Sequence, residues 1–440
     1  MSAWNDLGFS DNPYSPRPIQ GDELGVQLLV GRETELKRLL TYLQSSDTHS
    51  TLEGPNGVGK TSLVSVAGFL LKRDYLSGAS QQALIPILEP FQLSTDENTA
   101  SFKRKVLFRV AQAFIENSNE MKIRGCNVPD AEQVKSWLNA PIISSFGGGI
   151  SVGGLLGANA SVGNAANTSA GFSEDGFVTT VLGWLRDCFP THSSGGFVCT
   201  IDNLELLETS KSARALLEGI RDEVLGVCGL RWVLCGARGI TRSVASSPRL
   251  QGVLAEPILI NPIKDQDIER LITERLTVFK VDDDAVVLVS PKGFGHLYAI
   301  GGRNLRNAMK YSQDFSLWAI ETGQTKRSAE DLYALIEAWM AELAEQYMED
   351  TKGVGRRAWQ VFQQLAESGG SISPSQFEEF GFESNQAMRP HLRDLEEANL
   401  IESAIDETDN RRKTIGVTSR GWIVNYMRSG FEQIGSPQPQ

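Results

Sequence analysis

Residues Gly54-Pro55-Asn56-Gly57-Val58-Gly59-Lys60-Thr61 match the pattern G-x-x-x-x-G-K-[S/T] at every fixed position. They stand between an apolar strand end, Thr51-Leu52-Glu53, and a helix-like run, Ser62-Leu63-Val64-Ser65-Val66-Ala67. In that context the spacing has a specific physical meaning. Glycines let successive backbone N–H groups turn inward as an anion cradle, and the N-terminus of the following helix adds its positive dipole end. Such a loop fits the phosphates of a nucleoside triphosphate. Lys60 is placed to reach the β and γ phosphates, and the Thr61 hydroxyl to bind Mg2+, a cation that prefers oxygen ligands and retains several waters. Gly54 through Thr61, with the adjoining Ser62, are therefore the expected nucleotide-binding residues, and ATP and Mg2+ the expected cofactors.

A phosphate loop needs a carboxylate on a neighbouring strand to hold Mg2+ directly or through water. The apolar run Phe197-Val198-Cys199-Thr200-Ile201 ends in Asp202, which makes Thr61 and Asp202 the expected metal-site pair. The next position is Asn203, where many ATPases of this kind carry a Glu that activates the attacking water. Glu205 is the nearest acid and Glu208 lies further on. Two readings stand: Glu205 orients the water, or it only begins a helix and hydrolysis is slow. A third strand-like run, Leu230-Arg231-Trp232-Val233-Leu234-Cys235-Gly236-Ala237-Arg238, delivers Arg238 to the C-terminal end of the sheet, where open α/β sheets bind ligands. Arg238 is thus a candidate γ-phosphate sensor, against the alternative of an ordinary loop arginine.

The chain's 440 residues exceed what one hydrophobic core usually supports, so two or three domains are expected. A 41% hydrophobic and 22% charged composition is that of an ordinary globular protein. Five cysteines, Cys126, Cys188, Cys199, Cys228 and Cys235, form no C-x-x-C pair, and two lie in apolar strand-like runs. Reduced, buried thiols and a cytoplasmic location are expected. No signal peptide and no apolar run of about 18 residues argues for secretion or a membrane. The net charge of −12 excludes a surface coated in basic residues, so any nucleic-acid contact must come from a local patch.

Along the chain, residues 1–28 are turn-rich (Asn12-Pro13-Tyr14, Pro16-Arg17-Pro18) and read as an arm laid over the next domain. Residues 29–260 alternate apolar strands and amphipathic helices, the signature of a parallel sheet covered by helices. Within Leu84-Ile85-Pro86-Ile87-Leu88, Pro86 lacks an N–H for the ladder, so this run is the least secure of the strands or lies at an edge. An insertion over about 146–171, rich in Gly, Ala, Ser and Asn, reads either as a mobile loop or as a Gly-rich hairpin. A helical region follows at 261–325, then strong helix formers at 326–351 predict one long connecting helix. Residues 352–430 form a third unit and 431–440 a tail.

Several of these segments, in order, resemble AAA+ ATPases, in particular the ground shared by origin-recognition-type initiators and STAND-type signalling ATPases. Val30-Gly31-Arg32-Glu33-x-Glu35 resembles the segment those families place beside the adenine base, implying a cofactor-binding Arg32. Asn261-Pro262-Ile263 and the amphipathic Asp265-to-Leu276 helix resemble the start of their helical lid. Gly301-Gly302-Arg303-Asn304-Leu305-Arg306 resembles the motif whose arginine reaches bound nucleotide from the lid, with Arg306 the better fit and Arg303 second. Ser247-Pro248-Arg249-Leu250 lies where such ATPases often carry the arginine finger that completes a neighbour's site, which implies homo-oligomers or related ATPase subunits as partners. A surface turn explains Arg249 equally well. Asn203 departs from the usual second acid, and Arg238 is closer to the STAND pattern than to the initiators. The fold expected is α/β: a P-loop AAA+ parallel-sheet domain with a helical lid, followed by a winged helix-turn-helix.

That last unit is read from residues. Arg356 to Glu367 is a helix, Ser373 to Phe380 a short second one capped by Ser373 with Pro374 at its first position, and Ser384 to Asn399 a third. Pro390 should kink the third helix or move its start. Leu400-Ile401-Glu402-Ser403, a polar turn, and Lys413-Thr414-Ile415-Gly416-Val417 complete an order that resembles a winged helix-turn-helix. In that fold the third helix enters the major groove, presenting Asn385, Gln386, Arg389 and Arg393. The wing brings Arg411, Arg412 and Lys413 to phosphates. From Lys352 to Arg428 there are ten basic and eleven acidic residues, so there is no bulk electrostatic drive and winged helices that bind protein remain the alternative. The expectation is an ATP-binding and ATP-hydrolysing protein that binds double-stranded DNA, its nucleotide state controlling assembly or DNA binding. The rival is a STAND-like signalling or defence switch.

Overall fold

A computed structural model describes residues 2–93, 98–130, 174–204, 210–237, 240–372, 374–404 and 414–429. In chain order the elements begin with α1 (Ala3–Asp6), α2 (Glu23–Leu28), α3 (Glu33–Ser45), β1 (Ser50–Glu53), α4 (Lys60–Ser77), β2 (Ala83–Pro86) and α5 (Thr99–Ile123). Next come α6 (Glu174–Cys188), β3 (Gly195–Ile201), α7 (Ser210–Ile220), β4 (Leu230–Gly236), α8 (Ile240–Ala245) and β5 (Ile258–Leu259). Then follow α9 (Asp265–Phe279), α10 (Pro291–Ile300), α11 (Leu305–Glu321) and α12 (Ala329–Glu349). The C-terminal unit holds α13 (Arg356–Glu367), β6 (Ser371–Ile372), α14 (Asn385–Glu397), β7 (Ile401–Ala404), β8 (Thr414–Val417) and α15 (Ser419–Ser429). The Gly-rich stretch at 146–171 lies outside the described residues.

The first five strands form one parallel sheet in the order β2-β3-β4-β1-β5. Both faces are buried, and the two-residue period divides the side chains between them. Phe197, Cys199, Ile201, Trp232 and Leu234 face the layer made by α5, α6 and α7. Val198, Val233 and Cys235 meet Leu39, Leu63 and Leu71 of α3 and α4 on the other side. β2 lies at the edge and ends at Pro86, where the missing N–H costs no ladder bond. β4 separates β1 from β3, so the strand leading to Asp202 is the second neighbour of β1 rather than the adjacent one.

Helices α9 to α11, the expected lid, share one buried cluster with α12 from the expected connecting segment. Ser290, Asn304 and Ser328 cap α10, α11 and α12 by accepting backbone N–H bonds, each cap contributing about 1 kcal/mol. The N-terminal arm is divided between two units: its later part lies over α4 of the domain that follows, the Ile19 N–H donating to the Ser62 hydroxyl at 3.0 Å and Glu23 pairing with Arg73 at 3.2 Å. Trp4, Leu7, Phe9 and Tyr14 are buried in the lid's cluster, because four large apolar side chains in 14 residues find their burial there. Two cysteines also depart from expectation: Cys126 and Cys228 are half-buried, while Cys188, Cys199 and Cys235 are buried as expected, and all five are free thiols.

The C-terminal unit is a winged helix: α13, a 3-10 helix at Pro374–Phe380, α14 and an antiparallel sheet ordered β6-β8-β7. The expected short second helix is present as a 3-10 segment, and its expected cap Ser373 lies outside the described residues. Pro390 stays inside α14, which starts at Asn385 behind the Ser384 cap, so the start is not displaced. α15 is shared between two cores. Ile423 and Tyr426 pack with the lid, Val424 packs with the winged helix, and Tyr311 donates to the Ser419 carbonyl at 3.0 Å. Trp422 lies against two left-handed turns: a Cβ at Gly302 or at Gly370 would come within 2.3 Å of its ring.

Two expected outcomes follow. His49 is buried beside β1; its Nε2 donates to the Leu225 carbonyl at 2.7 Å and its Nδ1 accepts from the Trp232 N–H. Burial holds its pKa down at about 4, below the ordinary 6.5. The unfolded chain therefore binds a proton that the folded chain refuses between these values, and stability present above pH 6.5 is lost as pH falls toward 4. The loss should reach about 3 kcal/mol in urea unfolding, and His49→Gln should flatten it. Gly302→Ala should cost about 1–3 kcal/mol by forcing a methyl against Trp422 at a positive φ. Adding Trp422→Ala should cost less than the sum of the two single changes.

Candidate functional site

The loop after β1 turns into α4 at Gly59, so α4 presents its first-turn N–H groups to the loop. Gly57 has φ +80, and a Cβ there would lie 2.5 Å from Asn304 Oδ1 of the lid. A Cβ at Gly54 would lie 2.4 Å from the Ile260 carbonyl just after β5. Only glycine fits either place. Lys60 is buried, and its Nζ donates to the Gly54 and Pro55 carbonyls at 2.9 and 3.2 Å. Its charge meets neutral carbonyls and no carboxylate among the described residues, which is the arrangement of a cation held ready for an anion.

Thr61 Oγ1 donates to Asp202 Oδ2 at 2.7 Å, so the structure brings the expected metal-site pair together across the intervening strand. Asp202 is buried, and its Oδ1 accepts the Asn203 N–H at 2.9 Å with Asn203 at φ 57. Ser62 also lines the cleft, but its hydroxyl accepts the Ile19 N–H of the arm at 3.0 Å. Arg32 is buried behind the loop, pairing with Glu35 at 3.1 Å and donating to the Val58 carbonyl at 2.8 Å. Burial lowers its pKa, partly offset by Glu35. Val58 is buried, and Pro55 carries the carbonyl that Lys60 holds.

From the lid, Arg306 lines the same cleft as Asn56, Gly57, Gly59, Lys60 and Thr61, and its N–H donates to the Gly57 carbonyl at 3.3 Å. Arg303 instead forms a two-pronged pair with Asp265 at 3.1 and 2.8 Å. Arg249 is 64% exposed and reaches Glu218 at 3.8 Å, away from the cleft. Glu205 and Arg238 lie outside the described residues.

The sequence reading missed three contributors. Asn304 caps α11 through Oδ1 and also donates from Nδ2 to the Asn56 carbonyl at 2.7 Å, tying lid to loop. Residues Ser15 to Ile19 of the arm form one wall of the cleft, and Arg275 of α9 another part. An Asn before a helix signals a cap, but no local pattern signals a bond to a loop 248 residues away. Together Arg17, Lys60, Arg275 and Arg306 give the cleft four cations, with no carboxylate among its described lining residues.

On the winged helix, Met388, Leu392 and Leu395 of α14 face inward, while Gln386, Arg389 and Arg393 are exposed and Asn385 is half-buried at its start. The exposed three recur at i, i+3 and i+7, so they share one face. Arg393 pairs with Glu397 at 3.4 Å. Arg411, Arg412 and Lys413 lie outside the described residues.

No family model matches the chain, and no curated protein matches it significantly. Among solved structures it is similar to the Aeropyrum pernix ORC1 protein in complex with DNA, at 14% identity over 91% of this chain and 95% of that one, with a TM-score of 0.42. It is also similar to Cdc6p from Pyrobaculum aerophilum, at 15% identity over 96% and 99% of the two chains, with a TM-score of 0.40. The Walker-type ATPase paby2304 of Pyrococcus abyssi matches at 14% identity over 94% and 100%, with a TM-score of 0.39. Likeness at this level leaves activity to be read from the site's own residues. Among the described residues, no helix is long and apolar enough to cross a membrane.

Asn304 offers a direct check. Asn304→Ala should cost about 1–2 kcal/mol in chemical unfolding, from the lost cap and the lost tie. Asn304→Asp keeps the cap acceptor but loses the Nδ2 donor, so it should increase hydrogen exchange at residues 56–59 while α11 stays protected.

Proposed function

We propose that the protein is an AAA+-type ATPase that binds ATP with Mg2+ and contacts double-stranded DNA through its winged helix, nucleotide state controlling DNA binding or assembly. The observation that carries the reading is the cleft at the phosphate loop: four cations and no lining carboxylate, in a chain whose net charge is −12. A polyanion is the ligand that balances such a cleft. Bound Mg2+ would supply charge neutralisation between the β and γ phosphates. Thr61 and Asp202 are the residues to hold it, Lys60 and Arg306 the residues to orient the phosphates, and the loop's N–H groups the cradle. Arg32 supports the loop from behind. Glu205 is the proposed water-orienting residue, Arg238 the proposed γ-phosphate sensor and Arg249 a proposed trans-acting finger in an assembly with copies or related subunits.

The divisions proposed are an arm at 1–28, a core at 29–260, a lid at 261–325, a linker helix at 326–351 and a winged helix at 352–430. Two buried clusters lie within the proposed core and one within the winged helix, while the fourth draws on the arm, the lid, the linker helix and α15 together. For DNA, Asn385, Gln386, Arg389 and Arg393 are proposed for base edges and Arg411, Arg412 and Lys413 for phosphates. One feature favours a switch that holds ATP with slow turnover: Asn203 stands after Asp202 in a left-handed backbone conformation. In that reading the winged helix binds protein.

Binding of labelled duplex DNA with Mg-ATP, with ADP and without nucleotide, at two salt concentrations, separates the readings. Salt-sensitive binding that changes with nucleotide, and a loss of ATP binding of at least about 100-fold in Lys60→Ala, are expected. Absence of DNA binding in every state would leave the protein-binding switch. Tight ATP binding by Lys60→Ala would remove the proposed site.

A further inference from the structure

Arg275 lies on α9 with 5% of its surface exposed, beside the cleft formed by the arm, the phosphate loop and α11. Its Nε donates to the Pro13 carbonyl at 2.6 Å and its Nη2 to the Ser15 carbonyl at 3.2 Å. Neither acceptor carries a formal charge. Nη1 makes no hydrogen bond among the described residues, and no carboxylate among them lies within ion-pair distance. Asp11 acts only from farther away, and burial pulls the guanidinium pKa down to about 10.

A buried cation without a counter-ion is a costly way to hold two carbonyls. An apolar side chain of similar length would fill the same space without desolvating a charge, and the arm is already anchored by Tyr14, whose hydroxyl donates to the Val289 carbonyl at 2.8 Å. The Phe279 ring, its centroid 5.9 Å from the guanidinium carbon, is a weak partner for a buried charge, so the charge has a use beyond holding the arm, and the cleft it borders has no carboxylate among its described lining residues.

We propose that Arg275 is a nucleotide-contact residue: Nη1 donates to an oxygen of the bound nucleoside triphosphate while Nε and Nη2 hold residues 13–15 of the arm at the rim of the same cleft. The inference rests on the reading of that cleft as a nucleotide site. It makes the arm a part of the binding site, seated by a side chain whose own charge is balanced only when ligand is present. The ligand thus joins three segments distant in sequence: the arm, the phosphate loop and the first lid helix.

The test uses the full chain and two variants, with a fluorescent ATP analogue and Mg2+ as the probe. Arg275→Met fills the space without charge or donor. It should unfold, without nucleotide, at or above the wild-type midpoint, and bind the analogue roughly 10- to 100-fold more weakly, the size expected for one charge-assisted hydrogen bond. Affinity within about 2-fold of wild type would overturn the proposal. So would a lowered ligand-free midpoint accompanying the affinity loss, because Arg275 would then act only as a support for the arm. Arg275→Lys keeps the charge and loses the fork, and guards against a methionine variant that does not fold. A loss of about 5-fold or more supports the contact, and unchanged affinity overturns it. Failure of the wild-type chain to bind the analogue would instead remove the nucleotide site itself, leaving a result distinct from any difference between variants.

Discussion

The phosphate loop is held in place by three side chains acting on its carbonyl oxygens, and the geometry of the site depends on that restraint. Lys60 holds Gly54 and Pro55 from within, Arg32 holds Val58 from behind, and Asn304 holds Asn56 from the lid. With these carbonyls engaged, the loop is free to direct N–H groups to the centre, where a phosphate can accept them. Charged donors make two of these ties, and such bonds are about twice as strong as neutral ones. The third, Asn304, is neutral and comes from another structural unit, so it is the one that a movement of the lid would break first.

The turn at residues 301–304 therefore has contacts in two directions. Asn304 touches the phosphate loop, and two residues earlier Gly302 carries the indole of Trp422 from the winged helix. Arg303 between them has φ 56 and is fixed by its pair with Asp265. Four residues thus hold contacts to the phosphate loop at one end and to α15 at the other. Since α15 contributes to the lid's core and to the winged helix's core, the two units share a helix instead of a flexible linker.

Much of the sheet was legible because it depends on local pattern. Apolar runs with strand-like length and a Gly-rich loop are written within a few residues of where they act. Pro86 announced an edge, since a residue without an N–H is tolerated only where no ladder bond is required. The arm was legible only in part, for the complementary reason: Ile19 and Glu23 reach α4 as expected, but Trp4, Leu7, Phe9 and Tyr14 declare that they need burial and not in which core. The short second helix of the C-terminal unit was legible as a helix, but its 3-10 type is a distinction between hydrogen-bond patterns that a span of seven residues barely encodes.

At the site the division is the same. Sequence alone determined the phosphate loop, its lysine and threonine, and the acid at the end of a β-strand, because the chemistry of binding a phosphate demands those residue types at one short spacing. Tertiary structure decided that Thr61 meets Asp202 across an intervening strand, that Arg306 rather than Arg303 faces the cleft, and that Arg275 and the arm belong to it. Those contacts join positions tens to hundreds of residues apart, where no periodicity relates one residue to the other. Only the packing of lid, arm and sheet brings them within the few ångströms at which hydrogen bonds form.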